Sequence, residues 1–126
     1  LKAEVLARRT DPLQTREPEA VVNVIQEAAE ALLQRTSAPP KTLVGVGVSL
    51  PGIVEPDTGT CRYSALLGWR EVPFGPLLKD RLKLTTFIDN DVNALAAAEA
   101  WFAQGERHQD CLVVTRGQGV GLGIII

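Results

Sequence analysis

The sequence predicts an α/β fold in which buried strands and amphipathic helices alternate along the chain. The run from Thr42 to Leu50 is almost entirely β-branched or glycine, which is typical of a parallel strand covered on both faces. A second short apolar run, Thr85 to Ile88, leads directly into an alanine-rich segment with helical spacing. This order of elements favours right-handed crossovers and a largely parallel sheet.

Composition limits the classes of function. The chain has 126 residues, of which 45% are hydrophobic and 22% charged, so it has the composition of one globular domain. A formal net charge of -2 provides no excess of positive charge to bind the phosphates of a nucleic acid, so nucleic-acid binding by this stretch itself is not expected. No apolar run approaches the roughly 20 residues that span a bilayer. Cys61 and Cys111 match no metal-ligand spacing and no signal peptide precedes them, so reduced thiols and a cytoplasmic location are expected.

The first third of the chain predicts a strand followed by a helix. Leu1 to Arg9 has the pattern of a strand that is already under way, and the sequence stops in a run of isoleucines, so it is expected to be a piece of a longer protein. A helix is predicted from Pro18 to Arg35, because proline suits a first turn and one apolar face recurs at helical spacing, at Val21, Ile25, Ala28 and Leu32.

The middle of the chain predicts a structured loop and then a second strand–helix unit. Pro51 to Gly75 is rich in turn residues and too long for a simple connector, so it is expected to form a structured loop or hairpin. Within it, Trp69 is expected to pack in or near the core. A short helix is predicted from Pro76 to Leu82, and a longer one from Val92 to Gln104.

The last segment, Cys111 to Ile126, predicts a β-hairpin. Two apolar arms flank a centre in which glycine occupies every second position from Gly117 to Gly123. This spacing is not the G-x-G-x-x-G of dinucleotide-binding folds, and no helix follows it. Glycines on one face of a strand admit a ligand or another chain segment close to the backbone. Relief of crowding at a tight bend is the alternative, and the spacing does not choose between them.

Three polar residues, Asp89, Asn90 and Asp91, stand where the second strand meets its helix. They resemble the start of a calcium loop, but alanine occupies the required glycine and glutamate positions, at Ala94 and Ala100, so a calcium site is not expected.

Helix capping is the simpler interpretation of these polar residues. Asp91 alone would serve by accepting the amides of Asn93 or Ala94. That role leaves Asp89 and Asn90 unexplained at the carboxyl end of a strand, where open α/β sheets collect ligand-binding groups.

Three segments together resemble the ROK family of sugar kinases and sugar-responsive transcriptional repressors: "GVGVSLPGIVEPDTGTCRYSALLGW", "FIDNDVNALAAAEAWF" and "VVTRGQGVGLGIII". The resemblance implies an actin-like, ribonuclease-H-like fold with two lobes. Residues 1–106 would form most of the first lobe, built around a mixed sheet, and residues 107–126 would open the second. A D-x-G-G-T phosphate loop is expected before Leu1. Further sugar ligands and a cysteine-rich zinc motif are expected beyond Ile126.

The resemblance also implies roles for individual residues in a sugar site. Asp91 corresponds to the catalytic aspartate, which contacts the sugar and acts as general base on the hydroxyl that attacks the γ-phosphate. Asn90 corresponds to an amide that binds sugar hydroxyls. Gly52 brings backbone against the sugar, and Ser64 and Ala65 align with a segment that approaches its ring. Gly52, Asn90 and Asp91 are therefore expected to converge on one cleft.

A departure from the kinase pattern favours the repressor branch. Kinases of the family usually read T-x-G-T-G at the second phosphate loop, whereas this sequence has Gln118 in place of the second threonine. The residues expected at a nucleotide phosphate, if that site is retained, are Thr115, Gly117, Gln118 and Gly119. Arg116 lies among them, and its charge would attract phosphate. The favoured interpretation is a NagC/XylR-like sugar-sensing domain, and the rival is an ATP-dependent hexose or amino-hexose kinase.

The expected partners follow from this interpretation. A small sugar is the expected ligand, and no metal or cofactor is expected within this stretch unless the protein is a kinase, which would need ATP and magnesium. DNA would be bound only through a domain outside these residues, such as a winged helix-turn-helix. No membrane association is expected, because no apolar run is long enough to span a bilayer. The resemblance implies a homo-oligomer for the complete protein.

Overall fold

A computed structural model of the chain describes residues 4–36, 43–102, 110–117 and 119–126. Across these residues the helices are α1 (Pro18–Thr36), α2 (Phe74–Leu82) and α3 (Asp91–Phe102). The strands are β1 (Val46–Leu50), β2 (Ile53–Glu55), β3 (Thr60–Ser64), β4 (Trp69–Val72), β5 (Thr86–Asn90), β6 (Cys111–Arg116) and β7 (Val120–Ile125). The predicted helices are confirmed to within a few residues. The predicted strand from Leu1 to Arg9 is wrong over residues 4–9, which form no strand.

Strands β1 and β5 form a parallel pair in which Val46 lies opposite Thr86 and Leu50 opposite Asn90. Both strands therefore end at the same edge of the sheet, which brings the loop after β1 beside the start of α3. The expected mixed sheet is not what the described residues form, because β1 and β5 pair only with each other. The apolar pattern of β1 predicted a strand covered on both faces. One face of the β1–β5 pair is instead open, since Phe87 on β5 is 68% exposed.

The long segment after β1 is a three-stranded antiparallel sheet in the order β2-β3-β4, which confirms that it is structured. A register shift between Ile53 and Val54 bends its first strand as it leaves the loop after β1. On its outer surface Arg62 forms ion pairs with Glu55 and Glu71, at 2.5 and 2.6 Å. The hydrogen bond from Thr58, and then the charge of Arg62, lower the pKa of Glu55.

The core lies around α2, which packs against α1 on one side and against β5 and the three-stranded sheet on the other. Trp69 is buried there, as expected: its ring centroid lies 4.8 Å from that of Phe74, and its indole N–H donates to the Arg16 carbonyl at 2.6 Å. Cys61 is fully buried, and this burial raises the pKa of its thiol. The buried apolar residues of this cluster are Val21, Val22, Leu50, Cys61, Trp69, Phe74, Leu78 and Ile88.

The predicted hairpin is confirmed, with β6 and β7 antiparallel and Cys111 opposite Ile125. Its glycines fall into two groups. A Cβ at Gly121 would lie 2.4 Å from Val92 Cγ2, and one at Gly123 would lie 2.9 Å from Ala96 Cβ, so these two positions let α3 approach the backbone of the hairpin. At Gly117 and Gly119, by contrast, a Cβ would meet none of the described residues within 4 Å. Close approach by another chain segment therefore explains Gly121 and Gly123.

Replacing Gly121 with alanine is expected to lower the free energy of unfolding by about 1–3 kcal/mol, the usual cost of overpacking. The added methyl group overlaps both Val92 Cγ2 and Thr115 Oγ1, which lie 2.4 and 2.7 Å from its position. A β-branched side chain such as Val92 has few rotamers with which to retreat. Urea unfolding measures the change.

Gly47→Ala is the matched control, because Gly47 is also a strand glycine but no atom of the described residues lies within 4 Å of the added methyl group. Its stability is expected to stay at or slightly above that of the wild type. Equal losses for the two variants would contradict the close packing of α3 on the hairpin.

No helix among the described residues is long and apolar enough to cross a membrane.

Candidate functional site

One cavity of about 870 Å³ lies among three parts of the chain: the ends of β1 and β5, the first turn of α3, and the turn of the β6–β7 hairpin. Its polar lining includes one carboxylate, Asp91, and one cation, Arg116. Apolar side chains, among them Leu66 and Leu95, line other parts of it. The sequence-predicted residues that the structure brings to this cavity are Gly52, Ala65, Asn90, Asp91, Thr115, Gly117 and Gly119.

Asn90, rather than Asp91, caps helix α3. The Asn90 Oδ1 atom accepts hydrogen bonds from the backbone N–H groups of Val92 and Asn93, at 2.8 and 3.2 Å. These amides have no partner within the helix, so the side chain of Asn90, the residue just before the helix, satisfies them. The expectation that Asp91 caps the helix through Asn93 or Ala94 is therefore corrected, because asparagine at the strand end already occupies that position.

Asp91 is left facing the cavity. Its Oδ1 atom accepts from the backbone N–H of Val92 at 2.9 Å, and its side chain is exposed at the cavity wall. Within the described part of the chain, Asp91 takes part in no ion pair. The carboxylate is thus held at the helix start, where the dipole favours negative charge, and retains capacity to accept a proton donor from a ligand.

Asp89 does not line this cavity. Its Oδ1 atom accepts from the backbone N–H of Asn90 at 2.6 Å and from Asn93 Nδ2 at 3.1 Å. It thereby braces the strand-to-helix turn and faces a smaller groove of about 370 Å³, which Ser49 and Phe87 also line. Asp89, for which helix capping by Asp91 gave no explanation, therefore has a structural role in this turn.

Gly52 lies directly after β1 in a backbone conformation that requires glycine. Its φ is +126°, and a Cβ would lie 2.3 Å from the carbonyl oxygen of Tyr63. On its other side, the Gly52 carbonyl accepts a hydrogen bond from Asn90 Nδ2 at 2.8 Å. The loop after β1 is therefore in direct contact with the head of α3.

The structure separates Ser64 from Ala65. Ser64 is fully buried, and its Oγ accepts from the backbone N–H of Leu67 at 3.2 Å, so it closes the turn after β3 and does not line the cavity. Ala65 and Leu66 follow it and do line the cavity. Leu66 and Leu95 were not predicted as lining residues, because an apolar residue in a turn or helix carries no sequence signal that distinguishes a cavity wall from the core.

The hairpin turn forms the far wall of the cavity. Gln118 lies outside the described residues, but its neighbours Arg116, Gly117 and Gly119 line the cavity. The Gly117 N–H donates to the Gly119 carbonyl at 2.9 Å, so this amide is used inside the turn and not offered to a phosphate. Thr115 Oγ1 lies close to Gly121, on the face of the hairpin that packs against α3. Thr115, Gly117 and Gly119 thus line the cavity as predicted for a phosphate loop, and among the described lining residues Arg116 is the one cation.

These features define a class of protein. A parallel strand pair ending beside a capped helix, followed by a glycine-rich hairpin across a cleft, belongs to the actin-like, ribonuclease-H-like α/β fold. The model of the ROK family matches residues 2–126, and the chain belongs to that family.

Both branches of the family occur among its relatives. The chain is 32% identical over 108 residues to the xylose repressor of Caldicellulosiruptor bescii, covering 86% of this chain and 27% of the repressor. It is 38% identical over 100 residues to a glucokinase of Halalkalibacterium halodurans, covering 77% of this chain and 30% of the kinase. The chain thus spans less than a third of the length of these relatives.

A solved structure shows the same arrangement. The ROK family glucokinase of Streptomyces griseus, crystallised with glucose and AMPPNP, superposes with a TM-score of 0.73 at 30% identity, covering 86% of this chain and 33% of the kinase chain. The fold predicted from the sequence is thereby confirmed.

Proposed function

We propose that the chain is part of a sugar-sensing effector domain of a ROK-family transcriptional regulator. The observation that carries the proposal is the meeting of Gly52, Asn90 and Asp91 at one cavity, opposite a hairpin turn whose Gly117 amide is already used. Such a cavity has hydrogen-bonding groups for a polyhydroxylated ligand. The Gly117 amide, which a phosphate-binding turn would offer to its ligand, already donates within the turn.

Each lining residue has a role in this proposal. Asp91 accepts a hydrogen bond from a sugar hydroxyl, and Asn90 donates one through its amide. The backbone around Gly52 approaches the sugar closely, while Ala65 and Leu66 supply apolar contact to its ring. Sensing needs no metal or nucleotide, because a ligand shifts a conformational equilibrium through its differential affinity for the two states.

The organisation of the complete protein belongs to the same proposal. Residues 1–106 contribute most of a first lobe and residues 107–126 begin a second; the junction itself falls in the undescribed stretch 103–109. DNA is bound by a separate domain, and the complete protein acts as a homo-oligomer in the cytoplasm.

An ATP-dependent sugar kinase is the second candidate, and the identity of 38% to a glucokinase favours it. In that case Asp91 acts as general base on the sugar hydroxyl, since phosphoryl transfer depends largely on positioning and charge stabilisation. ATP and magnesium would supply the phosphoryl group and neutralise its charge. Arg116 would then hold phosphate from the hairpin side.

The deciding experiment measures both sugar binding and phosphoryl transfer with the complete protein over a panel of hexoses, pentoses and amino-hexoses. A sensor is expected to bind one class of sugar with negligible ATP turnover. Asp91→Ala is then expected to weaken binding by about 1–3 kcal/mol, because a ligand hydroxyl loses its partner in a desolvated site.

Asp57→Ala is the matched control, since Asp57 is an exposed aspartate in the turn between β2 and β3, away from the cavity. It is expected to bind sugar as the wild type does. Robust ATP turnover with any sugar would contradict the sensor proposal and support the kinase. If the wild type bound none of the sugars tested, both candidates would be refuted.

A further inference from the structure

The Asn90 side chain has used most of its hydrogen-bonding capacity before any ligand arrives. Its oxygen accepts from Val92 and Asn93, and one of its two amide hydrogens donates to the Gly52 carbonyl at 2.8 Å. A carboxamide offers two acceptor sites and two donor hydrogens. Counting the contacts of the described residues, one N–H is left for a ligand.

The partner of this bond is itself tightly held. Gly52 sits at a φ of +126°, and its backbone packs against Tyr63 and Ser64 so closely that a Cβ would lie 2.3 Å from the Tyr63 oxygen. Strand β2 begins at the next residue and pairs there with Tyr63. The three-stranded sheet thus holds the loop from one side, and the bond to Asn90 holds it from the other.

We infer that Asn90 is a positioning residue that clamps the loop after β1 to the head of α3, an inference that rests on the proposed sugar site. The clamp joins residues 38 positions apart in sequence and keeps the backbone around Gly52 at a set distance from the carboxylate of Asp91. It also restricts the ligand: the group facing Asn90 must be an acceptor, because the asparagine oxygen already accepts two hydrogen bonds.

Asn90→Asp separates the clamp from the cap. Aspartate caps helices as well as asparagine does, so the Val92 and Asn93 amides keep an acceptor. The clamp is lost, because an oxygen now faces the Gly52 carbonyl in place of a donor. In the ligand-free complete protein we expect amide exchange at Ile53, the first residue of β2, to accelerate tenfold or more, while the urea midpoint stays near that of the wild type. Sugar affinity is expected to fall at least tenfold.

Two further variants serve as checks. Asn93→Ala removes an asparagine amide of the same turn, but one that donates to Asp89 Oδ1 and not to the loop. It is expected to leave Ile53 exchange at the wild-type rate and sugar affinity within twofold. Asn90→Ser keeps a capping oxygen without adding charge and is expected to behave as Asn90→Asp does, which protects the test if the aspartate variant folds poorly.

The outcomes separate the clamp from other roles of Asn90. Weaker sugar binding with unchanged Ile53 exchange would show that Asn90 acts only by touching the ligand, and would overturn the inference. Faster exchange matched by an equal loss of global stability would also overturn it, because that would reduce Asn90 to a cap. If the wild type binds no sugar, the proposed function fails, and the exchange measurement still decides whether the clamp exists.

Discussion

Replacing Phe74 with alanine is expected to lower the free energy of unfolding by about 3–5 kcal/mol, the usual cost of removing a fully buried aromatic ring. Phe74 begins α2, is completely buried and stacks at a tilt of 41° against Trp69. It therefore joins α2 to the three-stranded sheet, and neither can readily move to fill the space. Urea or thermal unfolding measures the loss.

Phe87→Ala is the matched control for Phe74. Phe87 lies on β5, the strand that α2 covers, but its side chain points to the open face and is 68% exposed. Its removal is expected to change stability by no more than about 0.5 kcal/mol. A loss at Phe87 comparable to that at Phe74 would mean that the core does not lie between α2 and the three-stranded sheet.

Gly52→Ala is expected to destabilise the protein by about 2–6 kcal/mol and to abolish measurable sugar binding. The positive φ of +126° is costly for any side chain, and the new Cβ would lie 2.3 Å from a backbone oxygen that cannot rotate away. Backbone strain and overpacking each cost about 1–3 kcal/mol. Unfolding and titration calorimetry on the same samples measure the two losses.

Gly68→Ala isolates the contribution of backbone strain. Gly68 has a φ of +71°, but within the part of the chain that the structure describes nothing lies within 4 Å of an added Cβ. It is expected to cost about 1 kcal/mol and to leave sugar binding intact. If the two glycine variants lost equal stability, the close contact between Gly52 and Tyr63 would have no energetic weight.

Local patterns of the sequence predicted the elements well wherever one face of an element is buried. Helix α1 was predicted from Pro18 and its apolar spacing, and it begins at Pro18. The hairpin was predicted from two apolar arms around alternating glycines, and β6 and β7 are those arms. In both cases hydrophobic burial and backbone sterics act within a few residues of one another.

The assignment of roles within the polar cluster was predicted less well. The sequence indicated that Asp89, Asn90 and Asp91 do more than end a strand, but not that Asn90 is the cap or that Asp89 braces the turn. Likewise, nothing local to Ser64 distinguishes a hydroxyl that closes a buried turn from one that faces a ligand. Each role depends on the direction of one side chain, which sequence spacing does not specify.

By itself, the sequence determined the order and type of the elements, the glycine-rich turn and the strand end at which the polar residues gather. These follow from periodicity, turn chemistry and the fact that parallel strands end at one edge of a sheet. Only the tertiary structure decided that Gly52 is held between Tyr63 and Asn90, that Gly121 and Gly123 admit α3, and that Asp91 faces the cavity. Those outcomes depend on contacts between residues far apart in the chain, whose distances are set by the packing of whole elements against one another.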